Sequence, residues 1–380
     1  MKLILHIVLC ALISICEINV LGQERITGYV PDVGRTVRPR MKVLAEEDRG
    51  AYVCQLVEYS VDASYVDDSG RTRTDRERIK GYLLVPDLAR KSRCPALVML
   101  HDHGARFDIG KEKLVRPITA ILPKGLEDHI YASSRQWIDK NFDGVYLADY
   151  FASIGYVVFV SDALYWGDRS SADAHRWSEL MYGLNVNGQR DTLKALKKRV
   201  YEGQRDVYKS LEERGVIWSE KILRDDIAAV RLLSSLSYVD PSRLGAFGFS
   251  MGAHRCWLLA AFCSQVRCGV ALSWMTSLDG YDGNNASDLS MRIQPMRDYL
   301  DFGDIGRYLS PKPMLFLSGE TDHLFPKEMV HKAYGKLHTY YKDTQCLRTE
   351  FFEGGHHCGK PVQKIIADYF DIQLKPTRQN

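Results

Sequence analysis

The chain has 380 residues, of which 45% are hydrophobic and 26% are charged, and its formal net charge is +3. This composition is typical of a globular protein with a sizeable core, and the length accommodates one large α/β domain or two smaller ones. The small net charge, together with the lack of a basic stretch interleaved with aromatic residues, excludes a nucleic-acid-binding protein.

Residues 1–22 are predicted to be a secretory signal peptide. Lys2 provides a positive start, residues 3–16 form a short apolar run, and small or apolar residues lead to Gly22. The run is too short to span a bilayer comfortably, so cleavage near Gly22 is favoured. We therefore expect a secreted or periplasmic protein that makes no membrane contact after cleavage.

Cysteine usage is compatible with export but predicts few disulfides. Of the nine cysteines, Cys10 and Cys16 lie in the signal peptide, which leaves seven in the exported chain. An odd number cannot all be paired, and several lie in apolar contexts, which favours buried free thiols. One disulfide stays open as an alternative.

Residues 23–77 are predicted to form an N-terminal arm and an edge strand. Strand patterns over 51–61 and 79–86 predict an antiparallel pair at the edge of a sheet. Residues 95–100 form a continuously apolar run, which is how a central parallel strand covered on both faces appears. This run ends in polar residues at 101–104, at the point where a ligand would bind.

Strand and helix patterns then alternate to the end of the chain. Residues 105–140 are predicted to be loop-like, with Lys111, Lys113 and Arg116 exposed. Helices are predicted over 141–154, 218–236, 251–263 and 361–370, and strands over 156–160, 244–249, 266–273, 313–317 and 347–352. This alternation predicts one doubly wound, mostly parallel α/β domain over 78–380, in which ligands bind beyond the carboxyl ends of the strands.

Residues 170–219 interrupt the alternation with a segment rich in charged residues. Helical patterns occur around 189–201 and 205–214. We interpret the segment as a helical cap inserted over the edge of the sheet. A solvated surface excursion with no role in function is an equally valid interpretation.

The motif Gly-Phe-Ser-Met-Gly at 248–252 predicts a nucleophile on a sharp strand-to-helix turn. A strand that reverses into a helix crowds the backbone, and glycines two residues on either side of Ser250 remove side chains that would clash. The serine hydroxyl is then exposed beyond the sheet, at the N-terminus of the next helix. The pattern alone is weak, because a glycine-rich turn with a capping serine has the same sequence.

Two later strand ends provide the partners that such a serine requires. Asp322 follows the strand at 313–317, and His356 follows the strand at 347–352. The chain order of serine, acid and histidine differs from the order in other common serine triads. A serine hydroxyl needs a base to accept its proton, and imidazole titrates near the working pH, so His356 is the predicted base and Asp322 its orienting acid. His357 and Glu320 stay open as the alternatives for the two roles.

A tetrahedral intermediate also needs hydrogen-bond donors for its oxyanion. One predicted donor is the backbone N–H of Met251. The second comes from the turn at 103–105, with the N–H of Ala105 favoured. His101, Asp102, His103, His356 and His357 are also metal-ligand types, but their spacing matches no zinc signature, so no metal and no other cofactor are expected.

With these residues the chain resembles the α/β-hydrolase superfamily, and within it the bacterial dienelactone-hydrolase-like and acetyl-xylan-esterase-like serine esterases. The resemblance covers roughly residues 78–370 and is carried by motifs at 81–86, 101–105, 162–169, 248–253, 318–326 and 354–357. It implies Ser250 as nucleophile, Asp322 as acid and His356 as base, and secreted or periplasmic action on esters of plant or other polysaccharides. Dienelactone hydrolases use cysteine as the nucleophile, so Ser250 argues against lactone opening by that route.

Five further residues are candidates for substrate contact: His103, Arg106, Trp166, Arg169 and Trp274. A guanidinium could pair with a sugar carboxylate, and the aromatic side chains, with Tyr165 and Tyr281, could form a sugar platform. The alternatives are structural ion pairs for the arginines, hydrogen bonds that shape the turn for His103, and core packing for the aromatic residues.

The leading functional hypothesis is a secreted serine carboxylesterase that works through an acyl-enzyme on ester-substituted carbohydrate, with an acetyl or uronate ester as substrate. A small-molecule or oligosaccharide ester is therefore the expected partner. One alternative is a serine peptidase of the same fold, although such peptidases usually carry a large additional domain for which this chain has no room. The other is a non-catalytic binding protein, against which an intact triad argues.

Overall fold

The computed structural model describes residues 35–36, 39–66, 69–122, 125–183, 189–280, 291 and 300–375. The predicted signal peptide at 1–22 and Tyr281 lie outside these residues. Within the described part of the chain, no helix is long and apolar enough to span a membrane.

One ten-stranded sheet organises the described residues. Its strands are β1 (Arg35–Thr36), β2 (Met41–Asp48), β3 (Tyr52–Val66), β4 (Thr72–Pro86), β5 (Cys94–Leu100), β6 (Val157–Ser161), β7 (Val239–Phe249), β8 (Cys268–Leu272), β9 (Met314–Gly319) and β10 (Leu347–Phe352). The strand order is β1-β3-β4-β6-β5-β7-β8-β9-β10, with β2 also paired to β3. The strands from β6 to β10 in this order are parallel, and β1 to β4 are antiparallel to their neighbours. The predicted doubly wound, mostly parallel α/β architecture with an antiparallel edge is confirmed.

Both faces of the sheet are covered, as the apolar runs predict. In β5 all residues are buried, with Ala96, Val98 and Leu100 in one core cluster and Leu97 and Met99 in the other. The helices are α1 (Leu126–Asn141), α2 (Leu147–Ser153), α3 (Ala172–Tyr182), α4 (Arg190–Glu212), α5 (Trp218–Ser234), α6 (Met251–Phe262), α7 (Gly306–Leu309), α8 (Lys327–Tyr340) and α9 (Lys360–Leu374). Helices α1, α2 and α9 pack on one face, and α4, α5, α6 and α8 on the other. The carboxyl ends of the parallel strands are thereby left open for a site.

The prediction of a loop over 105–140 is wrong. Helix α1 occupies Leu126–Asn141, and its buried face includes Ser133 and Ser134, which weaken the apolar periodicity in the sequence. Both serines are satisfied within the fold, Ser133 by the Asp108 carboxylate and Ser134 by the Glu112 carbonyl. The predicted helix over 141–154 is shorter, since only α2 (Leu147–Ser153) lies there.

In the described residues of the insertion, 170–183 and 189–217, two helices are present, α3 and α4. They pack on each other, and α3 also packs on α1. Instead of two helices around 189–201 and 205–214, α4 is one continuous helix. Gly203 does not break it, and the Tyr165 hydroxyl occupies the space where a side chain at Gly203 would lie. Helix α4 buries Leu196, Val200 and Leu211 and so belongs to the core.

Candidate active site

Ser250 sits on the sharp turn between β7 and α6. Its backbone has φ 55° and ψ −124°, outside the region that most L-residues adopt. The flanking glycines make the turn possible. A Cβ on Gly248 would lie 1.8 Å from the Gly252 carbonyl oxygen, and a Cβ on Gly252 would lie 1.9 Å from the Leu100 carbonyl oxygen. Both distances are far below contact, so the spacing of the motif follows from backbone crowding.

The structure joins Asp322 to His356. Asp322 follows β9, and its side chain is fully buried, with Oδ1 accepting hydrogen bonds from the backbone N–H groups of Leu324 and Phe325. Its Oδ2 lies 2.8 Å from Nδ1 of His356, which follows β10. This contact leaves Nε2 as the ring nitrogen able to accept a proton. Ser250 and His356 line the same cleft.

The neighbouring candidates for these two roles have other partners. The Nε2 atom of His357 lies 3.1 Å from Asp143 Oδ1, in the loop after α1. Glu320 forms an exposed ion pair with Lys327 at 2.7 Å. The two alternatives left open by the sequence are therefore disfavoured by the geometry.

The cleft in which Ser250 lies has a volume of about 660 Å³. Its walls combine polar groups of the predicted site with a set of aromatic side chains. The aromatic residues in the lining are Trp137, Tyr201, Phe249, Trp274 and Phe325. Tyr201 comes from α4, so the inserted segment contributes directly to the cleft.

Sequence reasoning missed Trp137, Lys140 and Tyr201, which all line the cleft. Trp137 and Lys140 lie three residues apart on α1, so recognising that helix would have placed them on one face. Tyr201 carries no comparable signal, because its position depends on how α4 packs. Its ring meets Phe107 edge-on at a centroid distance of 5.4 Å.

Two of the predicted substrate contacts are wrong. Trp166 is 0% exposed, and its Nε1 donates to the His103 carbonyl oxygen at 3.1 Å. The Arg169 side chain is almost fully buried between Glu77 at 2.8 Å and Asp225 at 2.9 Å. Both side chains hold the structure together instead of facing the cleft.

The other predicted contacts have mixed outcomes. Arg106 pairs with Asp108 at 3.2 Å and lies over the Trp177 ring, so its guanidinium is committed to the fold. Trp274 lines the cleft but is 1% exposed, with its ring packed on His254 at 3.9 Å. Tyr165 is also a core residue, since its hydroxyl donates to the Val200 carbonyl oxygen.

The loop after β5, residues 101–106 (the β5 loop), carries the second predicted oxyanion donor. Ala105 lines the cleft and has φ 52°. Its N–H donates to Nδ1 of His103 at 3.0 Å. Met251 begins α6, so its N–H belongs to the positive end of that helix.

Two family models match the chain. The dienelactone hydrolase family matches residues 137–274, and the prolyl oligopeptidase family matches residues 216–373. The second span contains Ser250, Asp322 and His356 in the order described above. The protein has the α/β-hydrolase fold. The resemblance predicted from the sequence motifs is confirmed at this level.

The individual relatives of this chain are distant. A provisionally named hydrolase of Bacillus subtilis (strain 168), YtaP, is 22% identical over 288 residues, which cover 74% of this chain and 78% of YtaP. A provisionally described acetyl xylan esterase from Bacteroides fragilis NCTC 9343 is 17% identical, covers 87% of this chain and 73% of its own, and has a TM-score of 0.53. A glucuronoyl esterase from Solibacter usitatus is 11% identical and has a TM-score of 0.55, and the match covers 91% of this chain and 88% of the esterase. At these identities the solved structures show a shared fold.

A buried lysine and a buried histidine hold the β5 loop in place. The ammonium of Lys113 donates to the carbonyl oxygens of Asp102 and His103, both at 2.8 Å. Burial lowers the pKa of Lys113 to about 8, although the Asp102 carboxylate opposes the shift. Burial also lowers the pKa of His101 well below its usual value, and its neutral ring accepts from the Ala163 N–H at Nε2. The predicted exposure of Lys113 is wrong because the loop carbonyls and Asp102 provide its partners.

Lys111, also predicted to be exposed, is buried among three carboxylates. Its ammonium lies 2.8 Å from Asp162, 2.6 Å from Asp168 and 2.7 Å from Glu112. Burial raises the pKa of Glu112 from 4.5 to about 7, and the attraction of Lys111 offsets only part of that shift. Within the described residues, no group of three or more His, Cys, Asp and Glu side chains could hold a metal ion.

The raised pKa of Glu112 predicts a pH-dependent effect of Glu112→Gln on stability. Between about pH 4.5 and pH 7 the folded protein keeps a proton that the unfolded chain has lost, so this group makes the free energy of unfolding fall as pH rises. Glutamine cannot ionise, so the stability of the variant relative to wild type should increase by about 1–3 kcal/mol from pH 5 to pH 8. Urea unfolding at the two pH values measures the difference. The exposed Glu328→Gln is the matched control, and a Glu112→Gln difference that is equal at both pH values would contradict the assignment.

All seven cysteines of the predicted exported chain are free, and six of them are buried. Burial raises the pKa of Cys54 to about 12. It also raises the pKa of each of the other six thiols, which makes their thiolate forms less populated. These thiols are therefore poor nucleophiles near neutral pH.

Proposed function

We propose that the protein is a secreted or periplasmic serine carboxylesterase that hydrolyses ester-substituted carbohydrate, with an acetyl or uronate ester as substrate. The observation that carries the proposal is the hydrogen bond between Asp322 and His356, with His356 in the same cleft as a serine on a strained, glycine-flanked turn. This arrangement has the parts that a serine hydrolase needs: a nucleophile, a base and a group that orients the base.

Acylation would start at Ser250. Its Oγ attacks the ester carbonyl carbon while His356 Nε2 takes the hydroxyl proton, which gives a tetrahedral intermediate. Asp322 holds the Nδ1–H and stabilises the imidazolium. The carbon–oxygen bond to the leaving alcohol then breaks, His356 returns the proton to that alcohol, and an ester of Ser250 is left. In the second half of the reaction, water attacks the carbonyl carbon of this ester while His356 takes its proton. The bond to Ser250 Oγ then breaks, His356 returns the proton to Oγ, and the acid is released.

The oxyanion would be held by backbone donors. The Met251 N–H lies at the positive end of α6, where negative charge is stabilised. In the structure the Ala105 N–H is directed at His103, so an oxyanion has to replace or share that contact for Ala105 to serve. The positive φ values of Gly104 and Ala105 show that this donor lies on a tight turn. Lys113 stabilises the turn through hydrogen bonds to the carbonyl oxygens of Asp102 and His103.

The substrate class is proposed from the cleft and its relatives. Aromatic side chains suit the apolar faces of sugar rings, and Trp137, Tyr201 and Phe325 line the cleft beside polar groups. Proteins described as an acetyl xylan esterase and a glucuronoyl esterase share the fold. The predicted signal peptide supports export to a compartment where extracellular polysaccharide is available.

A substrate panel tests this proposal. Wild-type protein is assayed with 4-nitrophenyl acetate, acetylated xylo-oligosaccharides, a methyl glucuronate ester and a prolyl 4-nitroanilide. We expect hydrolysis of 4-nitrophenyl acetate and a higher kcat/KM for one of the two carbohydrate esters. Turnover of no ester would overturn the proposed function, and turnover of 4-nitrophenyl acetate alone would overturn the carbohydrate assignment.

The prolyl 4-nitroanilide tests a second candidate, a serine peptidase. The match to the prolyl oligopeptidase family favours it, because that match spans all three candidate catalytic residues. Amide hydrolysis that exceeds ester hydrolysis in kcat/KM would select this function instead.

A further inference from the structure

The charges along the cleft are not balanced. The charged and histidine side chains in its lining are Asp102, His103, Lys140, His323 and His356. Asp102 is 1% exposed and its Oδ2 lies 3.8 Å from the buried ammonium of Lys113, so Lys113 compensates the charge of this carboxylate. Lys140 is exposed, and it is the only Lys or Arg among the described residues that line the cleft.

The carboxylates closest to Lys140 in the chain are occupied by other groups. Asp139 pairs with Arg135 at 2.7 Å. Asp143 pairs with His357 and accepts a hydrogen bond from the Lys360 N–H. Among the described residues, no Asp or Glu forms an ion pair with Lys140. Its ammonium is thus available to a charge that is not part of the chain.

The end of α1 that carries Lys140 is fixed against both catalytic loops. Three residues before Lys140, the Trp137 Nε1–H donates to Asp102 Oδ1 in the β5 loop at 3.1 Å. One residue after it, the Asn141 carbonyl oxygen accepts from the Cys358 N–H at 2.9 Å, in the loop that carries His356. Both contacts hold the helix end between the proposed oxyanion donor and the base. Lys140 therefore lies on a part of the wall that is tied to both loops, in the cleft that also contains Ser250 and His356.

We propose that Lys140 makes this enzyme selective for esters that carry a free carboxylate near the scissile bond. Within the proposed function, the substrate would be an ester of an acidic carbohydrate, in which a uronate carboxylate lies close to the esterified group. The inference rests on that proposed function for the reaction itself. Arg106 and Arg169, the cations that the sequence suggested for a sugar carboxylate, are committed to buried or partly buried ion pairs, which leaves this role to Lys140.

A second cation lies on another side of the site. Lys197 of α4 is exposed and lines a small cavity that shares Ala105 with the cleft. Together, Lys140 and Lys197 would give the approach to Ser250 a positive potential, which attracts an anionic substrate and weakens as salt is added.

Matched ester pairs test the selectivity on either side of the scissile bond. On the acyl side, mono-4-nitrophenyl succinate is compared with 4-nitrophenyl pentanoate. On the alcohol side, 4-acetoxybenzoate is compared with its methyl ester. For each pair we measure kcat/KM for the anionic ester and divide it by kcat/KM for the neutral ester. This ratio in each variant is then divided by the ratio in wild type. The normalisation cancels the difference in intrinsic reactivity between the two esters.

An exposed ion pair contributes modestly, so we expect this normalised ratio to fall about threefold in Lys140→Gln and about tenfold in Lys140→Glu in at least one ester pair. Lys140→Arg should keep the wild-type ratio, and the effect of Lys140→Glu should shrink at high salt. Lys364→Glu, at an exposed position on α9, controls for net charge. Adding Lys197→Gln to Lys140→Gln should lower the ratio further.

The outcomes separate this inference from the proposed function. Ratios that stay at the wild-type value in Lys140→Glu for both ester pairs, while the neutral esters are still hydrolysed, would overturn the role of Lys140 and leave the esterase intact. An equal fall in Lys364→Glu would also overturn it, because net charge would then be the cause. If wild-type protein hydrolyses neither member of either pair, the proposed function itself fails.

Discussion

Ser250→Ala is expected to remove ester hydrolysis, with a loss in kcat of about 10⁵–10⁶. The attacking oxygen is the only atom removed, so the protein loses the acyl-enzyme route and keeps its cleft. Alanine fits the same backbone, since its Cβ at φ 55° meets the same surroundings as that of serine. The measurement is the hydrolysis of 4-nitrophenyl acetate by rigorously purified protein.

The control for Ser250→Ala is its stability. Urea unfolding of the variant should match that of wild type closely, because no buried contact is lost. A variant that folds like wild type and hydrolyses the ester at a similar rate would contradict the role of Ser250. The binding-protein hypothesis or a nucleophile elsewhere in the cleft would then replace the triad.

Substitution of the two adjacent histidines is expected to give opposite results. His356→Ala should lower kcat by about 10⁵ or more, because Ser250 then has no group to accept its proton. His357→Ala should change kcat by less than about threefold, because this ring pairs with Asp143, and the pair is partly exposed. The two variants make the same chemical change at neighbouring positions, so each is the control for the other. The assay is kcat for 4-nitrophenyl acetate.

A reversed result would assign the base to His357 and would mean that the hydrogen bond between Asp322 and His356 is structural. Equal and small effects in both variants would contradict an imidazole base altogether. The 2.8 Å contact between His356 Nδ1 and Asp322 Oδ2 makes the first pattern the expected one.

The sequence predicts the sheet and the position of its site because both depend on short-range patterns. A fully apolar strand such as β5 shows that both faces are covered, and the residue after each such strand lies at one edge of the sheet. Ser250, Asp322 and His356 all lie at this edge, either directly after a parallel strand or within the loop that follows one. The glycines at 248 and 252 are equally readable, because the crowding they relieve arises between the turn and its immediate neighbours.

The choice between His356 and His357 could not be made from the sequence. Adjacent residues point in different directions, and which ring meets Asp322 depends on the path of the loop. That path depends on Asp143, a residue more than two hundred positions earlier, which pairs with His357. No local pattern contains this information.

The errors over 105–140 have a related cause. Lys111 and Lys113 look like exposed loop residues because lysine is seldom buried. Asp162 and Asp168 reach Lys111 only when the loops after β5 and β6 meet. Lys113 is buried because it turns back onto carbonyl groups of the β5 loop, about ten residues earlier in the chain. The same meeting of loops removes Trp166 from the cleft. Arg169 is removed by its ion pairs with Glu77 of β4 and Asp225 of α5. Polar residues at the strand ends therefore show where the site lies. They do not show which of these residues line the cleft and which only hold the loops in place.

Covalent trapping with diethyl 4-nitrophenyl phosphate tests the central claim most directly. An activated serine attacks the phosphorus, 4-nitrophenolate leaves, and the protein gains one diethylphosphoryl group that is visible in its intact mass and in a peptide map. We expect one group per wild-type molecule, located on Ser250, slow uptake by His356→Ala and none by Ser250→Ala. Wild-type protein that stays unmodified, or a Ser250→Ala variant that is modified to the same extent, would contradict a nucleophilic serine at this position.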